Sequence, residues 1–146
     1  MNALRMNSLR RMHWGGMLFL ACLLLAASGC QKLKARDELN KGVQEYKALR
    51  YQQAIEHFRV AVESDPTLVN ARLYLATAYA NQYVPGSEAE DNLQKAEQAI
   101  EEFQRVLEME ANNIGSVSGI ASLYFQMKRM DQAKEFYQKH IQLEPT

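Results

Sequence analysis

The chain has very few cysteines, and none of them lies after residue 30. Among its 146 residues, only Cys22 and Cys30 are cysteine. The region that follows therefore cannot form an internal disulfide and cannot bind a metal through thiolates. A folded region without cysteine suits an oxidising compartment without requiring one.

An excess of positive charge is also missing. Lys and Arg together number 17, as do Asp and Glu, so the formal net charge is zero. Arg5, Arg10 and Arg11 precede Cys30, whereas every acidic residue follows Gly29, which leaves the later part of the chain with a net charge of −3. Nucleic-acid binding needs a clustered basic surface that neutralises phosphates. We therefore expect no nucleic-acid partner.

A hydrophobic run long enough to span a membrane is lacking as well. The apolar stretch over residues 17–27 has eleven residues, or about 16 Å at roughly 1.5 Å per helical residue. A hydrocarbon core of about 30 Å requires roughly twenty. The arginines before this stretch and the small residues after it are instead typical of an export signal. We predict that residues 1–29 are a signal peptide of the lipoprotein type.

The end of this segment, Leu25-Ala-Ala-Ser-Gly-Cys30, resembles a bacterial lipobox, although Ala27 replaces the favoured leucine. The resemblance implies cleavage after Gly29, acylation of Cys30, and a short tether over residues 30–34. Two alternatives remain, namely an ordinary cleaved signal peptide with an incidental cysteine and an uncleaved anchor. Gln31 is not the aspartate that favours inner-membrane retention. The expected location is therefore the cell envelope, at the periplasmic face of the outer membrane if the organism is Gram-negative.

The rest of the chain repeats a helical pattern. Small, small, aromatic and proline positions recur 79 residues later, as Gly42, Ala54, Phe58 and Pro66 match Ala121, Ala133, Tyr137 and Pro145. Shorter steps of 34 residues relate the first unit to the start of the middle one, and the end of the middle one to the third. Eleven extra residues must therefore lie inside the middle unit. A 34-residue period of paired amphipathic helices indicates a stacked helix-turn-helix array.

This pattern resembles the tetratricopeptide repeat. The first unit carries the family's residue types at Gly42, Tyr46 (one place late), Tyr51, Ala54, Phe58, Ala61 and Pro66. The second unit departs at Val106 and Ala111, and the third at His140. The resemblance implies an all-α, right-handed α-α solenoid of three units, over 35–68, 69–111 and 112–146. We expect Gly42 to let the second helix of its unit approach closely, opposite Ala54 and beside Phe58.

The insertion over residues 82–92 is the most individual feature of the chain. Pro85-Gly86 is a turn signal, and Ser87 and Glu90 have the spacing of a capping box. The following helix, over about residues 92–109, should be longer than the other helices. Two interpretations remain, a tolerated extended turn and a protruding contact element at residues 83–92.

By analogy with the family, the first helix of each unit lines a concave groove. The predicted groove residues are Leu39, Val43, Tyr46, Lys47, Leu73, Thr77, Asn81, Ser118, Ser122, Phe125 and Gln126. They are mostly apolar or neutral, and they lack the basic set with which some family members bind a C-terminal carboxylate. The groove therefore favours an extended peptide or a partner helix, held by apolar anchors and amide hydrogen bonds.

Catalytic chemistry is not indicated. After the signal only His57 and His140 remain as histidines, the first expected to face solvent and the second to replace a packing alanine. The motifs of zinc proteases, phosphate-binding loops and serine hydrolases are missing, and Gly115-Ser-Val-Ser-Gly119 has Val117 at its centre. We expect no enzyme activity, no metal and no cofactor.

These observations predict a membrane-anchored interaction module or adaptor that binds a protein or peptide partner in the cell envelope during complex assembly. The alternative is a structural building block that self-associates through its last unit. No polar capping helix follows that unit, so its outer side, with candidates Tyr124, Phe136 and Ile141, is expected to be partly bare. Truncation of the chain, self-association and completion by a partner all remain open as explanations.

Overall fold

The computed structural model describes residues 29–144, which form α-helices and no strand. The helices are α1 (29–47), α2 (Tyr51–Ser64), α3 (Val69–Gln82), α4 (Glu90–Met109), α5 (Ile114–Gln126) and α6 (Met130–Leu143). The predicted signal peptide, except for Gly29, lies outside the described residues, as do Pro145 and Thr146. The all-α repeat fold predicted from the sequence is confirmed.

The turns that join α1 to α2 and α5 to α6 have the same geometry. Leu49 and Lys128, which are 79 residues apart, both have a left-handed backbone, with φ of 59° and 60°. In each turn the next residue, Arg50 or Arg129, donates its backbone N–H to a carbonyl five residues earlier, at 3.0 and 2.8 Å. These are the bonds with which a helix closes its last turn around a left-handed residue. The 79-residue offset is thus a structural repeat as well as a sequence one.

Two aromatic side chains organise the core. Phe58 is fully buried with Ala54, Ile55, Leu75 and Ala78, in what we call the Phe58 cluster. Phe103 is buried in a second group that we call the Phe103 cluster, which includes Ala99, Ile120, Leu123, Tyr124 and Ala133. The many alanines let neighbouring helices approach closely, and the aromatic rings fill the remaining space.

Glycine is required at two places in this core. A Cβ atom at Gly42 would lie 2.5 Å from Cδ1 and Cε1 of Phe58, and one at Gly119 would lie 2.6 Å from Cε2 and Cζ of Phe103. The predicted close approach at Gly42 is therefore present, and the group it accommodates is the Phe58 ring. Gly119 has the same function in α5, which the sequence analysis did not assign to it.

Helix α4 has 20 residues, whereas α2, α3, α5 and α6 have 13 or 14. The predicted capping box is wrong, because α4 begins at Glu90, its N-cap is Ala89, and no side chain caps it. The loop that precedes α4 is held by the buried side chain of Asn92. Its amide oxygen accepts from Val84 N at 2.7 Å, and its nitrogen donates to the carbonyls of Val84 and Ser87, both at 2.9 Å.

Two other expectations need correction. Residues 30–34, predicted to be a short tether, are the first part of α1, since Gln, Lys, Leu, Ala and Arg in this stretch are all good helix formers. Tyr124 is not on a bare outer side, because it is buried in the Phe103 cluster, and Phe136 packs against it with ring centroids 5.9 Å apart. On α6 the exposed apolar residues are Tyr137 and Ile141, which are 40% and 63% exposed.

Candidate peptide-binding groove

The predicted groove residues lie on α1, α3 and α5, and none of them is fully buried. They fall into two kinds. Leu39, Val43 and Leu73 are half-buried because one side of each packs against the core clusters. Lys47, Asn81, Phe125 and Gln126 are exposed. The apolar members therefore contribute to stability as well as to the surface of the groove.

A hydrogen bond joins the α1 and α3 parts of the groove. The amide nitrogen of Asn81 donates to the hydroxyl oxygen of Tyr46 at 2.6 Å. The Tyr46 ring also meets Tyr51 and Tyr74 edge-on, with centroids 5.3 and 6.2 Å away. Burial raises the pKa of Tyr46, so its hydroxyl stays protonated at neutral pH. Tyr46 is thus held in one orientation by three neighbours.

Tyr74 was missed by the sequence analysis. Its ring stacks on Phe58 with centroids 5.5 Å apart and remains 37% exposed. Tyr74, Thr77 and Asn81 have the spacing i, i+3, i+7, which places them on one face of α3. That spacing was a signal that could have added Tyr74 to the groove. We call Tyr46, Tyr74 and Asn81 the inner aromatic patch.

Most of the remaining polar groups in the groove are already bonded. The Thr77 hydroxyl donates to the carbonyl of Leu73 at 2.8 Å. In α5, Ser118 Oγ lies 3.2 Å from Nδ1 of His140, and Ser122 Oγ accepts from the Gln126 amide at 2.9 Å. These bonds fix side chains locally.

Phe125 is the large apolar residue that α5 leaves open, and it is 55% exposed. The one recorded bond of Ser122 and Gln126 is to each other, within α5, so the structure does not join this end of the groove to Tyr46. The α3 and α5 parts approach each other at Leu73, whose Cδ1 lies 3.9 Å from the Cβ position of Gly115.

The histidines have partners within the protein. His57, predicted to face solvent, is half-buried, and its Nδ1 lies 2.7 Å from Oε2 of Glu38. Hydrogen bonds from Lys41 and His57 hold the pKa of Glu38 below its ordinary value. Across residues 29–144, no three His, Cys, Asp or Glu side chains are grouped so that they could hold a metal ion. Nor does any helix in this range have both the length and the apolar character that a membrane span requires.

The described residues thus define an open helical repeat array, a class of protein in which helical hairpins pack chiefly on their neighbours. A family model described as tetratricopeptide repeat matches residues 93–146. Residues 93–146 therefore belong to the tetratricopeptide repeat family, and the described chain has its fold. A comparison with curated proteins found no match.

Solved structures share this fold at low sequence identity. The first tetratricopeptide domain of Spaghetti (RPAP3), bound to the HSP90 peptide SRMEEVD, is 21% identical, with a TM-score of 0.65 over 79% of this chain and 82% of that chain. The second such domain, bound to the same peptide, is 18% identical, with a TM-score of 0.68 over 82% and 99%. A MamA mutant is 24% identical, with a TM-score of 0.62 over 75% and 72%.

Proposed function

We propose that this protein is a membrane-anchored interaction module that binds a peptide or helical segment of an envelope protein in its groove. The observation that carries the proposal is the inner aromatic patch. Its rings are fixed by the core and by one hydrogen bond, yet Tyr74 and Asn81 remain exposed. Rigid, half-exposed aromatic residues give a large contact area at a small cost in conformational entropy, as interface anchors do.

The chemistry of the groove indicates how a partner would be held. Lys47 is the one charged residue among the predicted groove positions, and Tyr74 adds no charge. A partner's C-terminal carboxylate would therefore lack the basic side chains that charge-assisted recognition requires. The two solved domains of RPAP3 hold an HSP90 peptide that ends in acidic residues, valine and aspartate. For this chain we instead propose a segment with apolar anchors and polar backbone groups.

The anchor is part of the proposal. Cys30 is exposed at the first described turn of α1, where an acylated sulfur would not disturb the core. Several acyl chains bind a membrane firmly, whereas one binds it only marginally. We propose that the protein is held in this way in the cell envelope, at the periplasmic face of the outer membrane in a Gram-negative organism. Its function would be to hold a partner at the membrane surface during assembly.

Site-specific photo-cross-linking in native membranes tests the groove. A photoreactive amino acid at Phe125 is expected to link to one envelope protein, and the same group at Gln104, exposed on α4, is not. The link should be lost when Tyr74 is changed to Ala, and it should survive Lys95→Ala elsewhere on α4. Equal linking from both positions, or a link unaffected by Tyr74→Ala, would refute binding in the groove.

A separate variant tests the anchor. Cys30→Ala is expected to move the protein out of the membrane fraction and to abolish the mass added by acylation. Unchanged fractionation and unchanged intact mass in Cys30→Ala would show that this residue is not the anchor, and would leave the groove proposal standing.

A second candidate function is self-association through the last helical pair. It is favoured by the exposed apolar side chains of Tyr137 and Ile141 on α6. Sedimentation of the protein at several concentrations distinguishes the two functions. A mass that rises with concentration, and that Ile141→Glu returns to the monomer value, supports self-association. Phe136→Glu is not suitable for this test, because Phe136 packs against the Phe103 cluster.

A further inference from the structure

A cleft of about 510 Å³ opens between α2 and α4, above α3. It lies on the opposite side of the molecule from the groove. Its α3 residues are 72, 75 and 79, whereas the groove uses residues 73, 77 and 81, and a helix turns by about 100° per residue. Its volume falls in the range of roughly 300–1,000 Å³ that is usual for ligand sites. The groove proposal does not use this cleft.

The cleft has an apolar floor and charged walls. Leu75 is buried beneath it, with Val62 and Tyr79 partly buried beside it. Three arginines and three glutamates line the cleft together with them, namely Arg59, Arg72, Arg105, Glu63, Glu101 and Glu102. Two of the glutamates already have cationic partners. Glu102 accepts from Arg72 at 2.6 Å, and Glu101 accepts from Arg105 at 2.5 Å.

Arg72 is the unusual member of this set. It is only 8% exposed, and its single recorded hydrogen bond is the one from Nη1 to Glu102. Its Nε–H is buried and meets no acceptor in the described part of the chain. A buried donor without a partner is costly, and native proteins seldom leave one without a reason. A guanidinium can bind two carboxylates at once because it has five donors.

Two further donors stand beside Arg72. Arg59 makes no ion pair with any residue between 29 and 144, although Glu63 lies one turn further along α2. The charge of Arg59 acts on the Tyr79 hydroxyl, and burial of that ring still raises the pKa of Tyr79 above its ordinary value. The Tyr79 hydroxyl is therefore a neutral donor at the floor of the cleft. One cation without a partner, one half-satisfied guanidinium and one hydroxyl thus meet in one place.

We propose that this cleft is a second binding site, which takes the carboxylate of an acidic side chain from a partner polypeptide. A carboxylate is a planar acceptor that matches guanidinium groups and accepts a hydroxyl donor. A phosphate dianion is disfavoured, since Glu63, Glu101 and Glu102 stand in the same cleft and like charges repel. The apolar floor over Leu75 and Val62 suits the methylene groups of a glutamate side chain.

The test is an NMR titration of the full-length chain in detergent micelles, followed through the arginine Nε–H resonances. The probe is glutamate blocked at both ends as N-acetyl-glutamate N-methylamide. The Nε–H resonances of Arg59 and Arg72 should shift with a saturable response at millimolar concentrations. Arg59→Gln and Tyr79→Phe should each weaken the response, the first by about tenfold, because a charge-assisted bond contributes about 1.5 kcal/mol or more and 1.4 kcal/mol is tenfold.

The controls separate this site from general effects of charge. The equally blocked glutamine should produce no saturable shift, and inorganic phosphate should bind more weakly than the glutamate probe. Arg50→Gln, which removes an exposed arginine paired with Glu45, should leave the titration unchanged, as should Tyr74→Ala in the groove. The proposal is overturned if the Arg72 resonance does not respond to the probe. It is also overturned if glutamine or phosphate acts as strongly as glutamate, or if Arg50→Gln weakens binding as much as Arg59→Gln.

Discussion

Gly42→Ala should destabilise the protein even though alanine is the better helix former. Alanine in place of glycine in a helix interior normally stabilises by about 1 kcal/mol. At this position the new Cβ would lie 2.5 Å from two carbons of the Phe58 ring. The ring has no room to retreat, since it is fully buried and stacks against Tyr74. Either α1 must move away from α2, or the ring must leave its preferred rotamer.

The size of the effect follows from these opposing contributions. Forcing an extra methyl group into a packed core typically costs about 1–3 kcal/mol, and a contact this short with an enclosed ring belongs at the upper end. After the gain in helix propensity, we expect a net loss of about 1–2 kcal/mol. With a urea dependence of about 1–3 kcal/mol per molar for small proteins, the unfolding midpoint should fall by roughly 0.5–1 M.

Urea unfolding of the full chain, followed by far-ultraviolet circular dichroism, measures this shift. Gly115→Ala is the matched control, because its nearest neighbour would be at 3.5 Å, an ordinary contact. That variant should keep or raise the midpoint. Combining Gly42→Ala with Phe58→Leu should cost less than the two separate losses added together, since the smaller side chain removes the clash. A midpoint raised by Gly42→Ala would refute the reasoning.

Three further predictions concern polar contacts. Asn92→Ala removes all three bonds to the loop before α4 and should cost about 2–3 kcal/mol, with faster amide exchange over residues 83–89. Asn113→Ala removes the side-chain cap of α5 and should cost about 1 kcal/mol in urea unfolding. The lowered pKa of Glu38, held by Lys41 and His57, contributes stability that is present above the ordinary value of 4.5 and lost as the pH falls through the lowered pKa. Glu38→Gln should therefore flatten the fall of the unfolding midpoint between about pH 5 and pH 3.

Each of these has a neighbour that serves as its control. Asn112→Ala changes an exposed asparagine next to the cap and should leave the midpoint nearly unchanged, in contrast to Asn113→Ala. Exposed Glu108→Gln should not alter the pH dependence. Unchanged amide exchange in Asn92→Ala would mean that the loop is held by other contacts, and an unchanged pH profile in Glu38→Gln would assign the acid sensitivity to other carboxyl groups.

The fold could be predicted from the sequence because its determinants are local and periodic. Small and aromatic residues at fixed offsets mark the positions where helices approach, and these are the positions of Gly42, Phe58 and Ala133 in the structure. The turns could not be predicted in the same way. Leu49 and Lys128 have a left-handed backbone although neither is glycine, because packing of the flanking helices imposes a conformation that the residue type does not favour.

The surfaces were harder to predict, since they depend on distances between helices. The groove list omitted Tyr74, whose place in the inner aromatic patch follows from stacking on Phe58 across two helices. The capping box failed because Asn92 holds the loop from inside the helix, and a spacing rule between Ser87 and Glu90 contains no information about that contact. The cleft was missed altogether, because residue 72 meets residue 102 only after α3 and α4 have packed.

The continuous helix from residue 29 to residue 47 gives the molecule a measuring arm. Sixteen helical residues separate Cys30 from Tyr46, or about 24 Å at roughly 1.5 Å per residue. A flexible tether would let the groove sample many heights above a bilayer, whereas a helix fixes one distance. If Cys30 is acylated, partners can be selected by how far their binding segments stand from the membrane as well as by their sequence. Two glycines inserted after Lys34 would relax that selection and leave the groove itself intact.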